Sequence, residues 1–330
     1  MRTVRVIALA AGMALLIWLV VRSGPLLLAR DLEKVGWWML TLLALAALRN
    51  AARTEAVRLS LGDDRREFSF GAMYGVLLVS GAVKFVAVAG LVVGEAAKGW
   101  LLNRRVSGPR AASAVLVDVL LYYFTAALFT LGSIALFFAL FRAPHAAGRA
   151  GILAGLVLIA TIALGVLAFR RRWLSAGRVL SPLSRWGFIR RSETLRRAGE
   201  IDSHIFEFRS RHPAAFAGIL FFDFVAHFLA AAEVAAILWL LGFGVHFAVG
   251  VIGEGLTKMV ETGGLLVPGD VGLYQEGTGL IFHALGYGVS TGVAIGIIRQ
   301  IRSILWAAIG FLALLIPGFA DARSRVLRNP

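Results

Sequence analysis

The sequence predicts an all-α polytopic membrane protein, with six full transmembrane helices and two re-entrant helical hairpins arranged as an inverted repeat. Three observations carry that expectation. Hydrophobic residues make up 59% of the 330 residues and charged ones only 16%, whereas a soluble domain carries about a quarter charged residues. Several apolar stretches reach the roughly 20 residues that a helix needs to cross a bilayer. Two irregular apolar segments, one in each half of the chain, match each other at a fixed offset. The whole chain, 1–330, reads as a single membrane domain. With no cysteine, disulfides, thiolate metal sites and a cysteine nucleophile are all excluded.

The apolar runs fall at about 4–21, 35–48, 68–93, 111–141, 151–169, 213–241, 245–288 and 290–318. The first lacks a small-residue cleavage site and runs into Arg22, so it reads as a retained span. The second is short, with Trp37 and Trp38 at one end and Arg49 at the other, the pattern of interfacial aromatics and a snorkelling arginine. Residues 68–93 are interrupted by Gly71, Gly75, Gly81 and Gly90 and contain Lys84. Residues 245–288 are too long for one crossing and contain Pro268-Gly269-Asp270. Each of these two reads as a hairpin that enters and leaves on its own side, and the other six runs then alternate.

This topology places 25 Lys and Arg on one side and 5 in the two opposite loops, 22–34 and 142–150. The basic excess, a formal net charge of +15, is therefore read as topology. It makes the first side, with both termini, cytoplasmic, in a cell inner membrane. The largest loop, 170–212, holds 11 arginines and 4 acids. It is expected to lie on anionic inner-leaflet lipid, with 192–211 as an amphipathic helix, and is too short and too tethered to suggest nucleic acid.

At an offset of 174 residues, the segment from Gly81 to Val93 matches the segment from Gly255 to Val267 at six of thirteen positions. Lys84 and Lys258 are among the matches, and the chain has only four lysines. The expected repeat halves are 35–141 and 213–318, each a span, a hairpin and a span. Inverted repeats whose broken helices meet near the midplane recur in secondary transporters, because exchanging the conformations of the two halves alternates access.

Ionisable residues within apolar runs are expensive to insert, so they face protein or water and are functional candidates. In the hairpins these are Lys84, Glu95 and Lys98, then Glu254, Lys258, Glu261, Asp270 and Glu276. Glu254, Lys258 and Glu261 share a helix face and can neutralise one another as a structural set. Lys84 has no acid three or four residues away, which leaves Glu95, Asp118 or a ligand phosphate as its anion. Asp223 and His227, four apart, read either as a proton-responsive pair, together with Asp118 a candidate for proton coupling, or as a packed interhelical contact. The full spans also hold Glu233, Arg299 and Arg302, of which Arg299 is expected against the second hairpin, with Arg302 on the same face. The glycine-flanked turns at Val93-Gly94-Glu95 and 267–272 would free backbone N–H groups that favour an anion. Nucleotide-binding, HExxH and GxSxG motifs are absent. Neither an enzyme, a metal site nor a cofactor is expected.

At Gly94-Glu95-Ala-Ala-Lys98-Gly-Trp-Leu-Leu-Asn-Arg104-Arg105, followed by Asp118, the chain resembles the lysylphosphatidylglycerol synthase transmembrane, or flippase-like, family. It does so again at Pro268-Gly269-Asp270-Val-Gly272-Leu-Tyr-Gln-Glu276, followed by Arg299. Val119, Asp270 and Val93 stand where relatives often carry arginine, glycine and proline. The resemblance implies lipid handling, since in bifunctional relatives this domain translocates an aminoacylated phospholipid made by a fused transferase. Stand-alone relatives are associated with hopanoid synthesis and with polyprenyl-linked glycan assembly. The expected function is a lipid flippase or transporter, its substrate an anionic, aminoacylated, polyprenyl-linked or hopanoid-type lipid held by Lys84, Lys258, Glu95, Lys98, Asp270, Glu276 and Arg299. The alternatives are a scaffold that recruits a lipid-synthesis enzyme, and an integral membrane lipid transferase.

Overall fold

The computed structural model describes residues 35–141, 155–161, 191–263 and 273–314, plus a few single positions. The first expected span, residues 170–190, Asp270 with the turn around it, and the C-terminal tail lie outside the described residues apart from such single positions. The described residues are helical, without a strand.

Helix α1 (Trp38–Ser60) leads through a 3-10 helix (Gly62–Glu67) to α2 (Phe70–Val86), α3 (Gly90–Leu102) and α4 (Gly108–Leu140). After residues 155–161, which are also helical, come α5 (Arg191–Arg211), α6 (Pro213–Leu240), α7 (Phe247–Gly263), α8 (Leu273–Ala284) and α9 (Val289–Ala313). Among the described residues, α4, α6 and α9 are long and apolar enough to cross a membrane. Local chemistry sets several boundaries. The Ser69 hydroxyl accepts from the Ala72 N–H at 3.3 Å, capping α2. Pro109 and Pro213 occupy the first turns of α4 and α6, where a missing N–H leaves no helical bond unmade.

Two boundaries bear on the sequence expectation. Helix α1 does not stop with its apolar run near Leu48 but continues to Ser60, close to the 35–58 expected for the first span of the repeat, and carries Arg49 and Arg53, counted as loop residues, inward. Its buried stripe explains why: Leu42, Ala46 and Ala56, each at most 1% exposed, recur at helical spacing on both sides of the two arginines. The first hairpin turns at residues 87–89, where Ala89 takes a left-handed conformation (φ +53°). Gly94 and Glu95 lie inside α3, so the freed N–H groups belong to the turn at Gly90, one helical turn earlier than expected.

Helices α1 and α6 form the largest helix–helix contact. The first hairpin helix, α2, crosses α9, and its counterpart α7 crosses α4. Both crossings depend on glycine. A Cβ on Gly310 would collide with the backbone of Leu78 in α2, and one on Gly255 would collide with Ser133 in α4. Leu78 to Gly255 and Ser133 to Gly310 are each separated by 177 positions, as are the starts of the 17-residue helices α2 and α7. The packing thus shows a spacing of 177 between these positions, one helical turn from the 174 of the sequence match. Lys84 then corresponds to Glu261, and Lys258 to Gly81.

Apolar packing is divided between two main clusters. Leu42, Ile237, Ile252, Phe282 and Ile298 join α1, α6, α7, α8 and α9, while Val57, Met73, Leu102 and Ala114 join α1 to the first hairpin and α4. Helix α5 packs on α4 and α6, with Phe208 buried. Charged residues gather between these clusters.

Candidate functional site

A cavity of about 670 Å3 lies among α1, α2, α3, α4, α6, α7, α8 and α9. Among the described residues seven cations line it: Arg49, Arg53, Lys84, Lys98, Lys258, Arg299 and Arg302. Glu95, Asp118 and Glu261 line it as well. Asp223, Glu233 and Glu254 are fully buried and bind those cations from behind, so among the described residues six acids accompany seven Lys and Arg.

The charges form two networks. In the first, Arg53 donates to Asp118 at 2.7 Å and also to Asp223. Lys98, 3% exposed, donates to Asp118 at 2.8 Å and stands 2.6 Å from Glu95. The Arg53 guanidinium lies 4.3 Å from the centre of the Tyr122 ring. Thr125 links Asp223 to His227, with its hydroxyl 3.5 Å from the carboxylate and 3.3 Å from the imidazole Nε2. His227 also stacks on Phe129. Asp223 and His227 thus communicate through Thr125, and Arg53 is the principal partner of Asp223.

In the second network Glu233 is the hub. Arg302 donates to it, and Arg49 and Arg299 stand 3.9 and 4.0 Å away. Arg299 reaches Glu254 of α7 at 2.8 Å and donates to the Tyr274 hydroxyl at 2.6 Å. Arg299 is thus seated against the second hairpin, as its position in the sequence suggested. Arg302 is equally buried, so neither arginine snorkels to a surface. Lys258 lies 2.9 Å from Glu254 and 3.5 Å from Glu261, the intrahelical set that their spacing allows. Gln275 of α8 donates to Gln300 of α9.

The two networks are reciprocal in sign. An arginine on α1 joins an acid of α6 and an acid of α4. A glutamate on α6 joins an arginine of α1 and arginines of α9. Buried ions tolerate low dielectric only in such hydrogen-bonded company.

The structure gathers Lys84, Glu95, Lys98, Asp118, His227, Lys258 and Arg299 around the one cavity, with Asp223 bonded to its wall. Glu276 is exposed in the first turn of α8 and does not line it; Tyr274 and Gln275 do. Sequence reasoning missed Arg49, Arg53, Tyr122, Tyr274, Gln275 and Gln300. For the two arginines a signal existed in the stripe from Leu42 to Ala56. It was hidden because the apolar run ends before them.

Apolar helices enclosing a charge-lined interior define a multi-pass membrane protein. The chain belongs to the family described as the lysylphosphatidylglycerol synthase transmembrane region, whose model matches residues 5–312. No curated protein and no solved structure matches it.

Proposed function

We propose that the protein is a lipid flippase, moving an anionic or lipid-linked polar headgroup across the cell inner membrane through the charge-lined cavity. The observation that carries this reading is the cavity itself. A volume of about 670 Å3 lined by seven cations and three acids stands among helices whose apolar faces suit lipid. An intramembrane site of that polarity has a clear use in sheltering a headgroup from hydrocarbon. Membership in the family is consistent with lipid handling.

The alternating-access architecture is part of the same reading. Helices α3 and α8 have 13 and 12 residues, about 20 Å at 1.5 Å per residue, against a hydrocarbon core of roughly 30 Å. Neither crosses alone, so α2–α3 and α7–α8 are read as re-entrant hairpins. The order of long helix, hairpin and long helix occurs twice, and the α2–α9 and α7–α4 crossings exchange when the halves are exchanged. In this scheme both termini are cytoplasmic, the halves form an inverted repeat within six full spans, and 170–212 rests on anionic inner-leaflet lipid. The protein itself transfers no group and needs no cofactor; a lipid-synthesis enzyme supplies its substrate.

The test is reconstitution of purified protein into liposomes carrying a fluorescent phospholipid, followed by quenching from outside. Flippase activity removes most of the signal, whereas a sealed, inactive vesicle keeps the inner-leaflet half. Retention of that half would overturn the reading. A covalently altered lipid would identify a transferase instead.

Topology gives a second prediction. Single cysteines at Val245 and Val289, exposed positions flanking the second hairpin, should both be labelled from outside, and those at Ser107 and Ser210 from the cytoplasm only. The neighbouring Gly244 and Gly288 have φ of +78° and +85°, so a side chain is better placed beside them than on them. The absence of native cysteine removes background. Opposite labelling of Val245 and Val289 would defeat the re-entrant hairpin.

A further inference from the structure

Lys84 differs from every other cation of the cavity. Arg53 and Lys98 are bound to Asp118, Arg299 to Glu254, Arg302 to Glu233 with Arg49 3.9 Å from the same carboxylate, and Lys258 to Glu254. The two acids nearest to Lys84 in the sequence reading, Glu95 and Asp118, are both occupied by Lys98. Among the described residues Lys84 makes no ion pair and no hydrogen bond, although it is exposed on the cavity wall.

Its seat is built. The first hairpin closes against it so tightly that a Cβ on Gly90 would collide with the Lys84 carbonyl, and one on Gly94 would meet the Lys84 Cβ at 2.6 Å. The main chain and Cβ of Lys84 are thus held by the hairpin while its side chain stays exposed. Three residues of α9 that line the same cavity carry a buried donor without an acceptor, the Nε of Arg299 and of Arg302 and the Trp306 indole Nε1, and of these the indole alone belongs to a side chain that is not already held by an acid. A buried N–H without an acceptor is costly, and a bound oxyanion removes that cost.

We propose that Lys84 and the Trp306 indole N–H form the binding site for the phosphate of a lipid headgroup, and that Lys258, already neutralised by Glu254 and Glu261, takes no part in it. This deepens the flippase reading and rests on it. A phosphate diester is the anion that membrane lipids carry, and it offers oxygens both to a point charge and to a neutral donor. The site is asymmetric: at a spacing of 177 residues Lys84 falls at the position of Glu261, so among the described residues the second half has no cation at the equivalent place.

The experiment is calorimetric titration of detergent-solubilised protein with short-chain phosphatidylglycerol, short-chain diacylglycerol and inorganic phosphate. Wild type should bind phosphatidylglycerol well above diacylglycerol. Lys84→Met should weaken that binding about ten-fold or more, the worth of a charge-assisted hydrogen bond, without lowering the melting temperature. Lys84→Arg should restore it, Trp306→Phe should weaken it by a smaller factor, and folded Lys258→Met should bind as wild type does. Unchanged affinity in Lys84→Met overturns the site. Equal loss in Lys258→Met overturns its asymmetry. Lys84-dependent binding of inorganic phosphate as tight as that of the lipid overturns the lipid as its source. Liposomes that scramble lipid while Lys84→Met binds normally would leave the flippase reading standing and this site refuted. A wild type that neither scrambles nor binds phosphatidylglycerol would refute both.

Discussion

Glu233→Ala should destabilise the protein by about 3–5 kcal/mol, the range found when one partner of a buried ion pair is removed. Glu233 is 1% exposed and gathers Arg49, Arg299 and Arg302. Arg299 would retain Glu254 and the Tyr274 hydroxyl, but Arg302 would keep only its 3.0 Å bond to Ser303. A guanidinium left in that state is the source of the loss. The effect should be asymmetric. Arg302→Met leaves Glu233 with two arginines still nearby, so it should cost less than Glu233→Ala. The double variant should recover much of the loss, because an apolar pair of similar volume is tolerated where an unpaired charge is not. Unfolding in mixed micelles with rising SDS fraction measures all three. Equal stability of Glu233→Ala and wild type would show that the hub is not structural.

The same network shows what the sequence made legible. Charges inside apolar runs are conspicuous, so Asp118, Asp223, His227, Glu233, Glu254, Lys258, Arg299 and Arg302 could be selected one by one. Spacing resolved partners only within one helix, as for Lys258 between Glu254 and Glu261. Partners on different helices depend on how the helices cross, and composition carries little of that. Arg53 shows the difficulty: 65 and 170 residues separate it from Asp118 and Asp223, and the end of its apolar run suggested a loop. Lys98 was recognised as a site candidate yet also counted among loop residues, although it is buried in α3. Removing Arg49, Arg53 and Lys98 from the cytoplasmic tally leaves the excess on that side intact.

The offset proposed for the two apolar segments differs from the spacing of the crossings for another reason. Apolar sequence draws on few residue types, so a match can slide by one helical turn with little penalty, keeping nearly the same face while changing which residue pairs with which. Sequence identity set the offset at 174 because it aligned two lysines. The crossings are spaced at 177, because close contact tolerates no slide: Gly310 must stand where the α2 backbone passes and Gly255 where Ser133 of α4 does.

That difference yields the second large effect. Gly255→Val and Gly310→Val should each cost more than the usual 1–3 kcal/mol of an overpacked site. The obstruction is in part backbone, the Leu78 carbonyl for Gly310, while Gly255 meets both the side chain of Ser133 and the Cα of Thr130. Neither contact can be relieved by rotating one flexible side chain, so the α2–α9 or α7–α4 crossing must separate. Small residues let membrane helices approach closely, and dispersion at such contacts replaces the hydrophobic drive that lipid does not supply. Gly81→Val is the control. It is the partner of Gly255 at an offset of 174, yet a Cβ there meets nothing within 4 Å, so this variant should remain near wild type. SDS-induced unfolding of the three variants distinguishes the registers. If Gly81→Val is as damaging as Gly255→Val, the two segments correspond at 174 and the 177-residue relation of the crossings is wrong. If Gly255→Val and Gly310→Val fall together while Gly81→Val stands, the two crossings are equivalent parts of one twofold design.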